Sequence, residues 1–149
     1  MIDINIINDY GNKISFKTKL IKNLIENLLF KHDVLDAKLS IILSNKILLN
    51  KLKKDYFNLN HFTDVIAFNL EQEGNPLDGE IYISIDDVLE NSKQYKVTFN
   101  DEFKRVMIHG ILHLLGFEDE TNKQKNEMTE LENINMTFIS EEIIFLKLK

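Results

Sequence analysis

"MIHGILHLLGFEDE", residues 107–120, governs how the rest of this chain is read. His109 and His113 lie four apart in an otherwise apolar run that closes at Gly116. Residues i and i+4 of a helix project from one side. Two neutral imidazoles at that spacing can converge on one metal ion at about 2.0–2.1 Å each. Beyond Gly116 come Glu118, Asp119 and Glu120, and no histidine. A glycine-turn site takes its third ligand ten residues after the first histidine, and here that position is Asp119. A carboxylate oxygen binds zinc at about 2.0–2.2 Å. A two-histidine, one-aspartate set with an open fourth position can hold and acidify a water.

The familiar helical pattern at this spacing is H-E-x-x-H, in which the glutamate is a general base. Gly110 stands in that place and has no proton to move. It costs about 1 kcal/mol relative to alanine inside a helix, which argues for close approach of something, and the expectation is space for a substrate beside the metal. The opposing reading makes His109 and His113 core histidines that donate to backbone carbonyls. The glycine between them, the glycine turn and the acid that follows weigh against it. His32 and His61 stand alone and are read as structural or exposed.

With 149 residues, 44% hydrophobic and 28% charged, the chain has the composition of a folded protein. Its length suits a single domain, 1–149, with a substantial core. The longest apolar runs, such as "IILS" and "IIFL", fall far short of the roughly 20 residues of a membrane span. "MIDINIINDY" shows no basic region followed by an apolar stretch, so no secretory signal is expected. With no cysteine, disulfides and thiolate ligands are excluded. A cytoplasmic location is expected. The net charge of −6 argues against nonspecific nucleic-acid binding through a basic surface. "NKILLNKLKKDY" holds the densest basic cluster, with Lys46, Lys51, Lys53 and Lys54, and taken alone reads as a solvated helix face.

Outward from the histidines, the periodicities alternate between strand and helix. "IDINIIN" reads as a first strand. Leu20, Ile21, Leu24, Ile25, Leu28 and Leu29 recur at helical spacing over about 17–31. "AKLSIILS", 37–44, is a second strand, "NKILLNKLKKDY" a short helix and "TDVIAFNL" a third strand. "EQEGNPLDG", 71–79, is the strongest loop signal. "EIYISI", 80–85, is a fourth strand and "DDVLENSKQY" a helix with acids in its first turn. In "TFNDEFKRVMIHGILHLLG" either Thr98 or Asn100 can cap the start, and Gly116 can close the end in a left-handed conformation. From Val106 onward that helix is apolar apart from its histidines, so it should be buried between a sheet and other helices. The tail from Asn122 to Lys149 reads as an amphipathic helix with Met128, Leu131 and Ile134 on one face. The interspersed elements give an α/β or α+β class with a small mixed sheet.

"HGILHLLGFEDE" resembles the signature of the YbeY family, bacterial rRNA maturation factors that are zinc-dependent endoribonucleases. That pattern runs H-G-x-L-H-L-x-G-Y-D-H. His109, Gly110, Leu112, His113, Leu114 and Gly116 match it, Phe117 stands for the tyrosine, Glu118 for the aspartate, and Asp119 for the third zinc histidine. "TDVIAF", from Thr63, is similar to the family's P-T-D-V-L-S-F strand, with Phe62 in place of the proline. "DGEIYIS" is similar to L-G-D-I-x-I-S, and Met128 and Glu132 match an M-x-x-x-E after the site. The blocks come in the family's order along nearly the whole chain. The resemblance implies an α+β fold, a small four-stranded mixed sheet flanked by helices with the metal site on a central buried helix. It also implies one Zn2+ per chain, held here by His109, His113 and Asp119. The implied partners are rRNA and the small ribosomal subunit, with maturation of the 3′ end of the small-subunit (16S) rRNA, and neither DNA nor a membrane.

The family's functional arginine, in an N-x-x-Y-R segment, has no plain counterpart here. Counting back from Thr63 reaches Phe57; counting forward from Asn50 reaches Lys54. A lysine binds phosphate as a point charge without arginine's bidentate fork. The leading expectation is therefore a metal-dependent endoribonuclease acting on single-stranded rRNA, with Lys53 or Lys54 orienting the phosphate as the catalytic cation. Asp64 either hydrogen-bonds near the cleft or pins its strand. Two other readings stand beside it. One is a non-catalytic ribosome-assembly protein that keeps a structural metal. The other is a metalloprotease-like peptidase with Glu118 or Glu120 as base. The mixed nitrogen and oxygen donors also suit Fe2+ and Ni2+.

Overall fold

A computed structural model describes residues 1–56, 64–72 and 76–147. Phe57, His61, Phe62 and Thr63 lie outside the described residues, as do 73–75 of the expected loop and the last two residues of the expected helical tail. The elements run β1 (Ile2–Asn8), β2 (Ile14–Phe16), α1 (Thr18–Lys31), β3 (Ala37–Ser44), α2 (Lys46–Tyr56), β4 (Val65–Asn69), β5 (Leu77–Ser84), α3 (Ile85–Tyr95), α4 (Phe99–Leu114), α5 (Asn122–Met136) and β6 (Ile144–Leu146). The fold is α+β. Four strands form a mixed sheet in the order β1-β3-β5-β4. β1, β3 and β5 are parallel, and β4 runs antiparallel to β5.

Alternation along the strands explains the layering. Ala37, Leu39, Ile41 and Leu43 of β3 are buried in register with Leu77, Gly79, Ile81 and Ile83 of β5. Their face packs into the core shared by Ile21, Leu24, Ile25 and Leu28 of α1 and by Phe103, Met107, Ile108 and Ile111 of α4. On the opposite face Phe68 of β4 meets the Tyr56 and Tyr82 rings edge-on, 5.5 and 5.7 Å between centroids, which ties the end of α2 to the sheet. Among the described residues no helix is long and apolar enough to cross a membrane.

The fold departs from the sequence reading in three places. β5 begins at Leu77, because Asp78 and Gly79 pair with Lys38 and Leu39 and the Leu70 N–H donates to the Asp78 carbonyl at 2.8 Å. The turn-prone Asp-Gly pair is thus inside the ladder. Second, the tail is not one helix. α5 ends at Met136, and β6 pairs antiparallel with β2 in a separate two-stranded sheet. Periodicity misses both strands because each is three residues long and its partner sits at the other end of the chain. Third, Ile134 is 55% exposed, whereas the polar Glu132 and Asn135 are buried with Met128.

Asn100 explains why the tail docks. The cap of α4 is Thr98, whose hydroxyl accepts from the Asp101 N–H at 3.0 Å. Asn100 is instead buried, and its Oδ1 accepts the N–H groups of Ile143 at 2.7 Å and Ile144 at 3.2 Å. Buried Lys104 donates to the Ile139 carbonyl at 2.6 Å nearby. Asn100→Ala strands two buried donors and is expected to cost about 2–4 kcal/mol of unfolding free energy. Urea denaturation measures this, and a loss below about 0.5 kcal/mol would mean that Asn100 is dispensable to the docked tail.

Candidate metal centre

α4 is buried on nearly every side. Its open stripe is Asp101, Arg105, His109 and His113, each four residues from the next. Asp101 is exposed and the other three are half-buried. The helix keeps this stripe outward because Gly110, one position on from His109, faces the sheet. A Cβ at Gly110 would stand 3.0 Å from both Ile81 Cγ2 and Val65 Cγ2. The expected space for a substrate at Gly110 is thus a correction: what approaches closely is the sheet. Removing the side chain lets α4 settle against β4 and β5, which outweighs the glycine's propensity cost.

Gly116 closes α4 as expected, with φ +99°. Its N–H donates to the His113 carbonyl at 3.0 Å, and the Phe117 N–H to the Leu112 carbonyl at 3.0 Å. This paired arrangement reverses the chain. Phe117 packs edge-on against His32 at 5.3 Å between centroids, so His32 has a structural place beside the turn. The turn then presents Asp119. Glu118 and Glu120 are both exposed.

Three ligand atoms meet there. His113 Nε2 lies 2.9 Å from His109 Nε2. Asp119 Oδ2 is 3.3 Å from His109 Nε2 and 3.6 Å from His113 Nε2. Ligands about 2.05 Å from a tetrahedral ion stand about 3.3 Å apart along each edge. The three edges straddle that value, so the donor set fits a small divalent cation. Among the described residues, His109, His113 and Asp119 are the one group of three or more histidines or acids able to hold a metal ion.

An outer contact orients the set. His109 Nδ1–H donates to Glu132 Oε2 at 2.6 Å, leaving the Nε2 lone pair on the ligand side. Arg105 Nη1 donates to Glu132 Oε1 at 2.8 Å and Nη2 to Asn133 Oδ1 at 2.7 Å. Burial by itself lowers the His109 pKa, but the Glu132 hydrogen bond and charge, then Asp119 and Asp64, leave it raised. Burial and the neighbouring His109 charge lower that of His113. The sequence flagged Glu132 only through its M-x-x-x-E match. Its contact to His109 crosses from α5 to α4, and no local spacing announces it.

On the far side of His109 opens a cleft of about 570 Å3. Asp64 and Glu102 line it. Asp64 fills both roles weighed for it: Oδ2 accepts from Asn91 Nδ2 at 3.0 Å, and its carbonyl accepts the Ser84 N–H at 2.8 Å. Burial raises its pKa. Glu102, an acid in the first turn of α4 that no motif singles out, is 6% exposed and makes no hydrogen bond or ion pair among the described residues. The lysines of α2 divide. Lys54 is exposed. Lys53 is buried, contrary to a solvated helix face, and its Nζ has no hydrogen-bond partner among the described residues. Burial lowers its pKa, and the charges of Asp87 and Asp64 oppose that.

The chain matches the family model described as Endoribonuclease YbeY over residues 6–140. It is 37% identical over 118 residues to the Endoribonuclease YbeY of Amoebophilus asiaticus, covering 79% of this chain and 80% of that one. It is 36% identical over 128 residues to that of Aliarcobacter butzleri, covering 85% and 89%. A Thermotoga maritima protein of known solution structure superposes with a TM-score of 0.57 at 32% identity, over 91% of this chain and 87% of that one. An α+β fold with two histidines on its buried helix and an aspartate on the turn that follows defines the class. The chain belongs to the Endoribonuclease YbeY family.

Burial, then the Asp64 charge, raises the Glu102 pKa to about 7 from an ordinary 4.5, with Arg105 opposing. The folded state thus holds this proton more tightly than the unfolded chain does. The stabilisation is complete below about pH 4.5 and is lost as the pH rises to about 7. Glu102→Gln mimics the protonated acid. It is expected to match the parent at pH 4.5 and to be more stable by about 1–2 kcal/mol at pH 8, after allowance for solvent screening. Chemical denaturation at the two pH values measures this, and equal stability at both would place Glu102 in water.

Proposed function

We propose that residues 1–149 form one YbeY-like metal-dependent hydrolase domain, an endoribonuclease acting on single-stranded rRNA. The observation that carries this reading is the triangle of Nε2, Nε2 and Oδ2 atoms on His109, His113 and Asp119. These residues would hold one Zn2+ per chain. When bound, the ion supplies Lewis acidity toward water and a phosphoryl oxygen. Glu132 holds the His109 ring in the tautomer that leaves Nε2 unprotonated, and Arg105 holds Glu132. Lys54, exposed on α2, meets a substrate phosphate. Lys53, buried beneath it among the Asp87 and Asp64 charges, would support that position without touching the phosphate. The substrate is small-subunit rRNA at its 3′ end, in the cytoplasm. The family assignment supports the RNA substrate.

Metal content per chain tests the centre, measured on parent, His113→Ala and Asp119→Ala proteins. The parent is expected to hold about one zinc, with metal affinity falling at least tenfold in each variant. Metal retention by Asp119→Ala equal to the parent would remove Asp119 from the ligand set. Cleavage of unstructured RNA should be lost with the metal in both variants. Lys54→Ala should weaken RNA binding at unchanged metal content. A parent that holds zinc, folds and leaves RNA intact would favour the non-catalytic assembly role.

A further inference from the structure

The cleft beside His109 has a composition that the metal centre does not explain. Four carboxyl groups line it, from Asp64, Asp101, Glu102 and Glu132, against the Arg105 guanidinium and the His109 ring. Arg105 is already engaged by Glu132 and Asn133. Such a surface repels phosphate and welcomes hydrogen-bond donors. Between the acids the walls are apolar, from Val97, Val106 and Met136. A volume of about 570 Å3 with apolar walls and a few convergent polar groups has the character of a small-molecule pocket.

Glu102 is the second, independent observation. Its side chain is buried yet unpaired among the described residues, and it reaches the cleft from the first turn of α4. A largely buried carboxyl without a partner pays part of the desolvation penalty, and a ligand that supplies donors recovers it. Single-stranded RNA offers such donors on its unstacked bases, which proteins read at their Watson–Crick edges and stack against aromatic rings. Tyr95, at the end of α3, is 60% exposed on the cleft and offers that ring.

We propose that this cleft is a guanine pocket for one nucleotide of the RNA strand that crosses the metal centre. Guanine alone among the four bases carries two adjacent N–H donors, N1–H and the N2 amino group, on its Watson–Crick edge. They match the two oxygens of the Glu102 carboxylate in the parallel geometry of a two-bond fork. Adenine and cytosine place an acceptor beside their amino group, and uracil flanks its single N–H with acceptors. Tyr95 stacks on the base, and Val97, Val106 and Met136 enclose it. The inference rests on the proposed RNA substrate and adds which base is read.

Titration accompanies the binding. Glu102 faces Asp64 before β4, Tyr95 on α3, Asp101, Arg105 and His109 on α4, and Glu132 on α5. With only the protein's own groups around it, it keeps its proton to about pH 7. Guanine selects the ionised form, so its affinity rises with pH through that region.

Mononucleotides test this without a bond to cleave, and any contact of their phosphate is common to the series. Dissociation constants are measured by calorimetry for GMP, IMP, AMP, CMP and UMP on the full chain supplied with zinc, at pH 6 and pH 8. GMP is expected to bind at least tenfold more tightly than AMP, CMP or UMP at pH 8. IMP, which lacks the N2 amino group, should fall between, and the preference should shrink at pH 6. Glu102→Gln keeps the volume but opposes a donor with a donor, and should bring GMP within about twofold of AMP. Tyr95→Ala, an exposed change that spares the core, should weaken all five about fivefold or more. Equal affinities in the parent, tightest binding of AMP or CMP, or a guanine preference that survives Glu102→Gln would each overturn the proposal. Its failure is separable from failure of the nuclease reading. A protein that holds zinc and cleaves RNA with no base preference rejects the pocket alone. One that prefers GMP but holds no metal rejects the metal centre alone.

Discussion

The approach of α4 to the sheet at Gly110 is the constraint on which the rest depends. With no side chain there, the helix lies against Ile81 and Val65. That contact sets its rotation as well as its depth. Once Gly110 faces the strands, Phe103, Met107, Ile108, Ile111 and Leu112 are buried, and the open stripe is left to Arg105, His109 and His113. Two imidazoles can then reach a surface site from an otherwise buried helix. Rigid support of this kind suits a metal centre, where ligand atoms must hold their geometry without reorganising.

Charge is distributed to match. The chain carries a net charge of −6, and several of its acids surround α4. Asp119 faces the histidines from the turn beyond Gly116, Glu132 supports His109 from behind, and Asp64 and Glu102 line the adjoining cleft. Asp64 and Glu102 both have raised pKa values, each through burial first. A cation held by His109, His113 and Asp119, as proposed, would offset part of this negative charge, and the proposed base edge would meet Glu102.

Long local patterns were legible in the residues. The helical spacing of Ile21, Leu24, Ile25 and Leu28 and the alternation of β3 follow from periods of 3.6 and 2, and the elements appear where those periods put them. Gly116 reads as a helix stop because a left-handed residue is needed there, and its φ is +99°. The short strands β2 and β6 were not legible, since three residues carry no period and their pairing spans the chain. Lys53 looked solvated in a basic run, yet the packing of α2 buries it.

The sequence by itself determined the helix with histidines four apart, the glycine turn after it and the acid that follows, because these depend on neighbours within about one or two helical turns. Tertiary structure decided what each of those residues faces. It turned Gly110 to the sheet and His109 toward Glu132, brought Asp64 beside Glu102, and gave Asn100 to the backbone of β6 and the residue before it. Those contacts join elements far apart in the chain. They depend on how helices and sheet exclude water together, a property that no short stretch carries alone.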